Sequence, residues 1–362
     1  MKERTFNFSA GPSTLPVEAL EKARDALFDF AGTGIGIMEI SHRSQEFSAY
    51  ILEVEANLRT LLGIADNYKV LFLQGGGSSQ FFMVPMNLLL DKGKKATYLN
   101  TGVWSKKAIA EARLFGEVAV GFDGSAEGFH RVPRPDEFTV SEGSEYLYYT
   151  SNNTIYGSEY SYIPQTETML VCDMSSDFLS RPVDVNRYGL IFAGAQKNLG
   201  PAGVTIVIIR EDLLERAPLS VPTMLRYKTH ADKGSMFNTP PVVNIFVAGE
   251  VLKLLKKSGG LEAVQQRNME KAALLYEVLD SGDYYRGYAE RESRSLMNVS
   301  FNLATPELES KFVAEALAAG MSGLKGHRDA GGCRASIYNA FPKEGVERLA
   351  QFMTDFAQKN PA

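Results

Sequence analysis

Short apolar runs alternate along this chain with longer amphipathic stretches, and this alternation constrains the fold more than any other feature. The apolar runs lie at residues 69–74, 96–100, 118–122, 146–150, 168–173, 190–193 and 204–209. Several are apolar throughout, as expected of strands that are covered on both faces. Strands that alternate with helices predict an α/β fold whose sheet is mostly parallel.

Helical periodicity fills much of the remaining chain. We predict early helices at 15–31, 44–62 and 104–115, and another that runs from a glycine turn through residue 86. After Pro240 and Pro241 two helices are predicted, at about 242–257 and 261–279, followed by strands and helices in alternation. This change predicts a large α/β domain at 16–260 and a smaller α+β domain formed by 1–15 and 261–362.

Charge and composition exclude several classes of protein. The 362 residues include 38 Lys and Arg against 43 Asp and Glu, a net charge of −5, so a basic footprint for nucleic acid is absent. Two cysteines are too few for a disulfide framework, and four scattered histidines show no metal-ligand spacing. The longest strongly apolar run, 204–209, is too short to span a bilayer. We therefore expect a soluble cytoplasmic protein that binds no metal, nucleic acid or membrane.

Three glycines follow the first of the predicted strands. Gly75, Gly76 and Gly77 precede Ser78 and a predicted helix, so their backbone N–H groups could approach an anion at the helix N-terminus. A tight turn without a ligand explains these residues equally well. The spacing is that of neither a P-loop nor a dinucleotide-binding motif.

Two charged residues stand at the ends of apolar strands. Asp173 ends the run 168–173, where it either contributes to a site or caps the next turn. Lys197 lies between two apolar strands, among glycines and small residues and without an acidic neighbour in the local sequence. A partly buried lysine has a lowered pKa and is a competent amine nucleophile, as Schiff-base chemistry requires.

The lysine, the acid and the glycine turn together fit pyridoxal phosphate. Lys197 would hold the aldehyde, Asp173 would pair with the pyridinium nitrogen, and the turn would hold the phosphate. Trp104, the single tryptophan, begins a predicted helix after a strand and could stack on the cofactor ring. The alternative for Trp104 is a core residue at the start of a helix.

Several longer motifs extend this interpretation along nearly the whole chain. They lie at residues 7–12 (NFSAGP), 40–43 (ISHR), 75–77 (GGG), 179–182 (LSRP), 194–198 (GAQKN), 234–241 (GSMFNTPP), 325–328 (KGHR) and 334–339 (RASIYN). With these motifs the chain resembles the phosphoserine aminotransferases, which are pyridoxal-phosphate-dependent transaminases of fold type I. The resemblance implies a mostly parallel sheet in a large domain, a smaller α+β domain, and a homodimer with shared active sites.

The resemblance also implies a reaction. Amino-group transfer from L-glutamate to 3-phosphooxypyruvate would give O-phospho-L-serine and 2-oxoglutarate, a step of serine biosynthesis. A related step toward vitamin B6 is implied for some bacteria. The freed Lys197 amine would remove the α-proton of the substrate and return it.

Roles for single residues follow from the same resemblance. Besides Lys197, Asp173 and Trp104, it implies that Thr154 contacts the cofactor. The residues implied around the cofactor phosphate are Gly77, Ser78 and Gln196, joined by Asn238 and Thr239 of the other subunit. The residues implied to bind substrate anions are His42, Arg43, His327, Arg328 and Arg334. For the arginines, surface salt bridges are the alternative interpretation.

One position departs from the family pattern. Many members carry an arginine that contacts the substrate anion where this chain has Ser78. We expect the remaining cations to suffice, because the motifs at 40–43 and 325–328 both match. Three alternatives are another fold-type-I transaminase, such as a serine–pyruvate or alanine–glyoxylate enzyme, a nicotinamide oxidoreductase, and a non-catalytic α/β interaction protein. The missing dinucleotide motif disfavours the oxidoreductase.

Overall fold

The computed structural model describes residues 4–90 and 93–361. Its strands are β1 (Phe6–Asn7), β2 (Tyr68–Leu73), β3 (Lys95–Asn100), β4 (Glu117–Asp123), β5 (Ser144–Thr150), β6 (Asn152–Asn153), β7 (Ser158–Glu159), β8 (Leu170–Asp173), β9 (Tyr188–Gly194), β10 (Thr205–Arg210), β11 (Arg286–Gly287), β12 (Asn298–Asn302), β13 (Met321–Ser322) and β14 (Cys333–Ser336). Its helices are α1 (Val17–Ala26), α2 (Gln45–Leu62), α3 (Gly76–Leu88), α4 (Val103–Ala112), α5 (Tyr227–Ala231), α6 (Val242–Lys257), α7 (Gly260–Asp280), α8 (Pro306–Ala318) and α9 (Lys343–Lys359).

A seven-stranded sheet forms the centre of the fold, in the order β2-β10-β9-β8-β5-β3-β4. The five strands from β9 to β4 are mutually parallel, whereas β10 runs antiparallel to both β2 and β9. Each of the seven predicted apolar runs corresponds to one of these strands, so the predicted mostly parallel sheet is confirmed. The carboxyl ends of the parallel strands therefore meet at one edge of the sheet.

Helices cover both faces of this sheet. Alternate residues along each strand point to opposite faces, so Cys172 joins a core cluster with α1, α2 and α6, while its neighbour Val171 joins one with α3 and α4. Burial on both faces explains why the inner strands β9 and β10 are largely apolar.

The first helix ends earlier than its periodicity predicts. The predicted helix at 15–31 is wrong beyond Ala26, because the chain turns back after α1. The backbone N–H of Ile37 donates to the Ala26 carbonyl at 2.8 Å, and that of Phe30 donates to the Ile35 carbonyl at 2.8 Å. This local loop satisfies the last carbonyls of α1 in place of another helical turn.

A third apolar cluster forms away from the large sheet. It combines α7, α8 and α9 with the antiparallel strands β11, β12 and β14, and it includes Phe8 from the N-terminal segment. Strand β1 pairs in parallel with β13 beside this cluster. Helix α7 contributes Leu261 and Val264 to the core below the large sheet and Leu275 to the third cluster. The division at residue 260 stays a prediction.

Two further observations concern the described residues as a set. None of their helices combines the length and the hydropathy that crossing a bilayer requires. Across residues 4–90 and 93–361, no three His, Cys, Asp or Glu side chains are grouped so that they could hold a metal ion.

Candidate active site

A cavity lies where the carboxyl ends of β5, β8 and β9 meet the N-terminal ends of α3 and α4. This is where open α/β sheets bind their ligands. The residues that line it are Gly77, Ser78, Phe81, Trp104, Thr150, Asn152, Asp173, Ser175, Ser176, Gln196 and Lys197. Six residues predicted from the sequence therefore line one cavity, namely Gly77, Ser78, Trp104, Asp173, Gln196 and Lys197.

The glycine turn forms one wall of this cavity. Gly75 and Gly76 have φ angles of +98° and +69°, in the left-handed region that favours glycine, and α3 begins at Gly76. A Cβ atom on Gly77 would lie only 3.0 Å from the Ser175 Oγ. The first N–H groups of this 13-residue helix have no partner within the helix, so this end of α3 suits a phosphate.

Asp173 has both of the roles that its sequence position allows, because it caps a turn and contributes to the cavity. Its Oδ1 accepts a hydrogen bond of 2.9 Å from the Ser175 backbone N–H, so it caps the turn after β8. Its side chain also lines the cavity while being 5% exposed. Burial raises the pKa of this carboxyl, and the bond from Ser175 and the charge of Lys197 oppose that rise. A cationic group beside Asp173 would favour its ionised form.

Lys197 lies on the turn between the antiparallel neighbours β9 and β10. The ends of this turn are joined by a 3.0 Å hydrogen bond from the Ala195 N–H to the Val204 carbonyl. The Lys197 Nζ donates to the Thr154 Oγ1 at 2.8 Å. The pKa of this amine is lowered to about 8, mainly by burial and also by the positive charge of Arg334, against the attraction of Asp173 and Asp177. The amine therefore loses its proton more readily than that of an exposed lysine.

Trp104 supplies an aromatic wall. Its ring centroid lies 5.8 Å from the Lys197 Nζ and 4.7 Å from the Nζ of the exposed Lys107. The Trp104 Nε1 is buried and has no hydrogen-bond partner among the described residues, and the same holds for the Asn152 Oδ1. Unpaired buried polar atoms are rare in proteins and indicate a missing partner. Both atoms belong to residues of the cavity wall, where a polar ligand would meet them.

These features fit pyridoxal phosphate. The residues present supply an amine for the aldehyde, a carboxylate for the ring nitrogen, a helix N-terminus for the phosphate and an indole for the ring face. The fit rests on the donor set and on the unpaired atoms in its wall.

Arg334 is brought to the same site from the C-terminal region. Its Nη1 lies 3.4 Å from the Thr154 carbonyl, and its charge acts on the Lys197 amine. Its Nε is buried and has no partner among the described residues. A guanidinium in this position suits a substrate carboxylate.

The other predicted residues do not line this cavity within the protomer. Arg43 is exposed in the turn before α2, and the buried His42 Nε2 has no partner among residues 4–90 and 93–361. His327 and Arg328 line a separate cavity beside α8. The His327 Nδ1 lies 3.5 Å and the Arg328 Nε lies 3.7 Å from the Asp329 carboxylate oxygens. The last two of this set, Asn238 and Thr239, lie beside Gln74, whose Nε2 donates to the Thr239 carbonyl at 2.8 Å.

Several polar residues of the site were not predicted. Thr150, Asn152, Ser175 and Ser176 line the cavity at the carboxyl ends of β5 and β8 or within three residues of them. The rule that polar side chains after parallel strands gather at one sheet edge would have found them.

A buried ion cluster beside the site was also not predicted. Arg181, from the motif at 179–182, pairs with Glu159 and with Asp177. Burial raises the pKa of Asp177 to about 7, as does repulsion by Glu159, whereas Arg181 opposes the rise. The motif was visible in the sequence, but its partner Glu159 is 22 residues away.

The comparisons with known proteins agree with this geometry. A family model, aminotransferase class V, matches residues 5–349. The phosphoserine aminotransferase of Desulfotalea psychrophila is 63% identical over 362 residues, 100% of both chains. That of Laribacter hongkongensis is 54% identical over 98% of this chain and 99% of its own. The chain belongs to the phosphoserine aminotransferase family, within class V.

The fold of this member of the phosphoserine aminotransferase family also matches solved structures. The phosphoserine aminotransferase from Bacillus circulans subsp. alkalophilus is 48% identical, covers 99% of both chains and superposes with a TM-score of 0.97. The PLP-bound enzyme from Trichomonas vaginalis is 38% identical over 97% of this chain and 100% of its own, with a TM-score of 0.92. The predicted family, fold type, enzyme class and cofactor are confirmed.

The alternatives are not supported by these matches. An alanine–glyoxylate aminotransferase from Nostoc shares the fold with a TM-score of 0.76, but its sequence is only 16% identical. Membership of the phosphoserine aminotransferases also excludes a nicotinamide oxidoreductase and a non-catalytic interaction protein.

Proposed function

We propose that this protein transfers the amino group of L-glutamate to 3-phosphooxypyruvate, giving O-phospho-L-serine and 2-oxoglutarate, with pyridoxal phosphate held at Lys197. The observation that carries this proposal is the Lys197 amine, with its lowered pKa, in a cavity formed by Asp173, Trp104 and the start of α3. The names of the relatives support the choice of substrates.

Each residue of the cavity has a distinct task in this proposal. When bound, pyridoxal phosphate supplies a conjugated ring that accepts the electron pair left on the substrate α-carbon. Lys197 Nζ takes the α-proton and returns it, because its lowered pKa makes the unprotonated amine easier to form than that of an exposed lysine. The Asp173 carboxylate would pair with the protonated ring nitrogen, and the Trp104 indole would pack against the face of the ring.

Substrate anions are bound by two groups of cations in this proposal. Arg334 binds the α-carboxylate because its guanidinium lies beside Thr154 and Lys197. The distal phosphate or carboxylate is bound by the remaining predicted residues, namely His42, Arg43, His327 and Arg328. These residues lie outside the cavity of their own protomer, so the proposal requires a second subunit.

We propose a homodimer that brings these residues into shared sites. Exposed large apolar side chains are frequent just before His42, with Phe28 80% and Met38 72% exposed. Apolar side chains exposed to this extent are typical of surfaces that another protein covers. In such a dimer Asn238 and Thr239 would reach the cofactor phosphate of the partner. A cytoplasmic location is proposed on the basis of two free, buried cysteines, Cys172 and Cys333.

The proposal is tested with the purified protein and its Lys197→Ala variant. The wild type should show visible absorbance that shifts when L-glutamate is added, and the variant should not. Turnover should occur with 3-phosphooxypyruvate but not with glyoxylate. Wild-type turnover by Lys197→Ala would refute the role of the lysine, and a preference for glyoxylate would refute the substrate. Sedimentation of the wild type checks the dimer.

A further inference from the structure

The N-terminal motif at residues 7–12 has no role in the function proposed above, yet its segment contacts the lysine turn. The Ser13 hydroxyl donates a short hydrogen bond to the Lys197 carbonyl, and the Ser13 N–H donates to the Gln196 carbonyl at 3.0 Å. Two consecutive carbonyls of the lysine turn are therefore held by one residue, which lies 184 positions away in the sequence.

Gly11 brings this segment close to the lysine side chain. A Cβ atom built on Gly11 would lie 3.5 Å from the Cγ atoms of both Gln196 and Lys197, which is ordinary van der Waals contact. The φ angle of Gly11 is +144°, a backbone conformation that other residues rarely adopt. The segment thus runs beside the base of the Lys197 side chain, with room for little more than a methyl group between them, and also bonds to its peptide.

The same segment is fixed at its other end to the region that carries Arg334. The Phe8 N–H donates to the Ser322 carbonyl at 2.8 Å, and the Ser336 N–H donates to the Phe8 carbonyl at 3.2 Å. The Tyr338 hydroxyl donates to the Ala10 carbonyl at 2.7 Å. The chain from Phe8 to Ser13 is therefore held between the Arg334 strand and the lysine turn.

We infer that Ser13 is a positioning residue for Lys197: its two hydrogen bonds fix the direction in which the amine leaves the turn, relative to Arg334. The inference rests on the proposed role of Lys197. Proton transfer requires the base within hydrogen-bond reach of the α-carbon proton, so a small displacement of the turn lowers the rate. Substrate affinity depends on the arginines and should change little.

Ser13→Ala removes only the hydroxyl, and Thr14→Val is the matched control. The Thr14 Oγ1 donates to the Asn7 carbonyl at 3.0 Å in the same segment, without touching the lysine turn. In the holoenzyme, Ser13→Ala should lower kcat by about 3- to 10-fold with KM for L-glutamate within about 2-fold, as the loss of one hydrogen bond would. Ser13→Thr, which keeps the hydroxyl, should have a kcat close to that of the wild type. Thr14→Val should also keep the wild-type kcat.

A second measurement does not depend on turnover. Reductive methylation of the apoenzyme, read at Lys197 by mass spectrometry over a pH series, reports the pKa of that amine. The charges acting on it are those of Asp173, Asp177 and Arg334, and Ser13 carries none. A midpoint in Ser13→Ala that differs from that in Thr14→Val, in either direction, therefore reports a displaced amine and supports the inference.

The outcomes separate the two proposals. If Lys197→Ala keeps the wild-type rate, the proposed function fails. If Lys197→Ala is inactive while Ser13→Ala matches Thr14→Val in kcat and in the methylation midpoint, the inference about Ser13 alone fails. The inference about Ser13 would also fail if Ser13→Ala and Thr14→Val lost kcat equally, in proportion to their losses of stability.

Discussion

Two enclosed lysines among the described residues have lowered pKa values, and their surroundings differ. The Lys197 amine has one hydroxyl partner, Thr154, and opens into a cavity. Lys271, 3% exposed on α7, donates to three backbone carbonyls, those of Ile337, Tyr338 and Phe341, at 2.9, 2.7 and 3.3 Å. Burial lowers the pKa to about 8 for Lys197 and to about 7 for Lys271.

The difference shows that a lowered pKa alone does not identify a catalytic lysine. The carbonyls around Lys271 use all three protons of its ammonium group, so it has no free position for a reacting atom. Lys197 has unused hydrogen-bonding capacity and an adjacent space that a ligand can fill. The four predictions below test this contrast, from the largest expected effect to the smallest.

Lys197→Met should abolish catalysis without destabilising the fold. Loss of a general base lowers rates by roughly 10²- to 10⁴-fold. The apoprotein should unfold at the same denaturant concentration as the wild type, or a higher one. Removing the amine leaves only one group without its partner, the Thr154 hydroxyl. Turnover assays and denaturant unfolding of both proteins check this. A large loss of stability would show that Lys197 also has a structural role.

Lys271→Met should have the opposite effect. Three buried carbonyls lose their donor, so the free energy of unfolding should fall by about 3 kcal/mol. The rate per folded molecule should be unchanged, because Lys271 does not line the cavity of Lys197. Lys343→Met, which removes an exposed lysine paired with Glu270, is the control and should change stability little. A loss of rate in folded Lys271→Met would break the contrast.

The two lysines should each contribute a rising component to the dependence of stability on pH. The pKa of an unfolded lysine is about 10.4, so between about pH 8 and pH 10 the unfolded chain binds more protons than the folded one. Each lysine therefore contributes a rise in the free energy of unfolding of at most about 1.4 kcal/mol per pH unit. The thiols of Cys172 and Cys333, whose pKa values are raised by burial, oppose this rise above about pH 8.5. Above pH 10, buried tyrosines such as Tyr146, whose pKa is raised by burial, reverse the trend.

Denaturant unfolding of the apoproteins at several pH values checks this prediction. Each single variant, Lys197→Met or Lys271→Met, should lose part of the slope between pH 8 and pH 10, and the double variant should lose both parts. A double variant that keeps the full wild-type slope would assign the pH dependence to other groups.

Lys107→Gln should have the smallest effect, because Lys107 is exposed to solvent. Its ammonium lies 4.7 Å from the Trp104 ring centroid, a cation–π contact that holds the indole. Cofactor affinity should fall by about 2- to 5-fold. Trp104 is the single tryptophan, so its fluorescence reports the same change. Lys106→Gln, at the preceding exposed position, is the control. Identical fluorescence in the two variants would contradict the contact.

The contrast also shows what the sequence could predict. Asp173, Lys197 and the glycine turn were found because their own neighbours, apolar strands and small residues, identify them. Lys271 could not be found, because its three carbonyl partners lie 66 to 70 residues away. The early end of α1 depends on a loop that turns back on the helix, which periodicity does not report. Residues proposed to act across subunits, such as Arg43, cannot be placed by either strand or helix patterns.

The reversed direction of β10 has a mechanical consequence for Lys197. A loop that leads into a crossover connection is held by a strand at only one of its ends. The turn of Lys197 instead joins two adjacent antiparallel strands, β9 and β10. A hydrogen bond from the Ala195 N–H to the Val204 carbonyl closes its base. Together with the two hydrogen bonds from Ser13, these contacts anchor its backbone and leave mainly the side-chain torsions free. A base that must take up and give back a proton in every turnover is thereby confined to a narrow arc, which brings it back to the same face of its substrate.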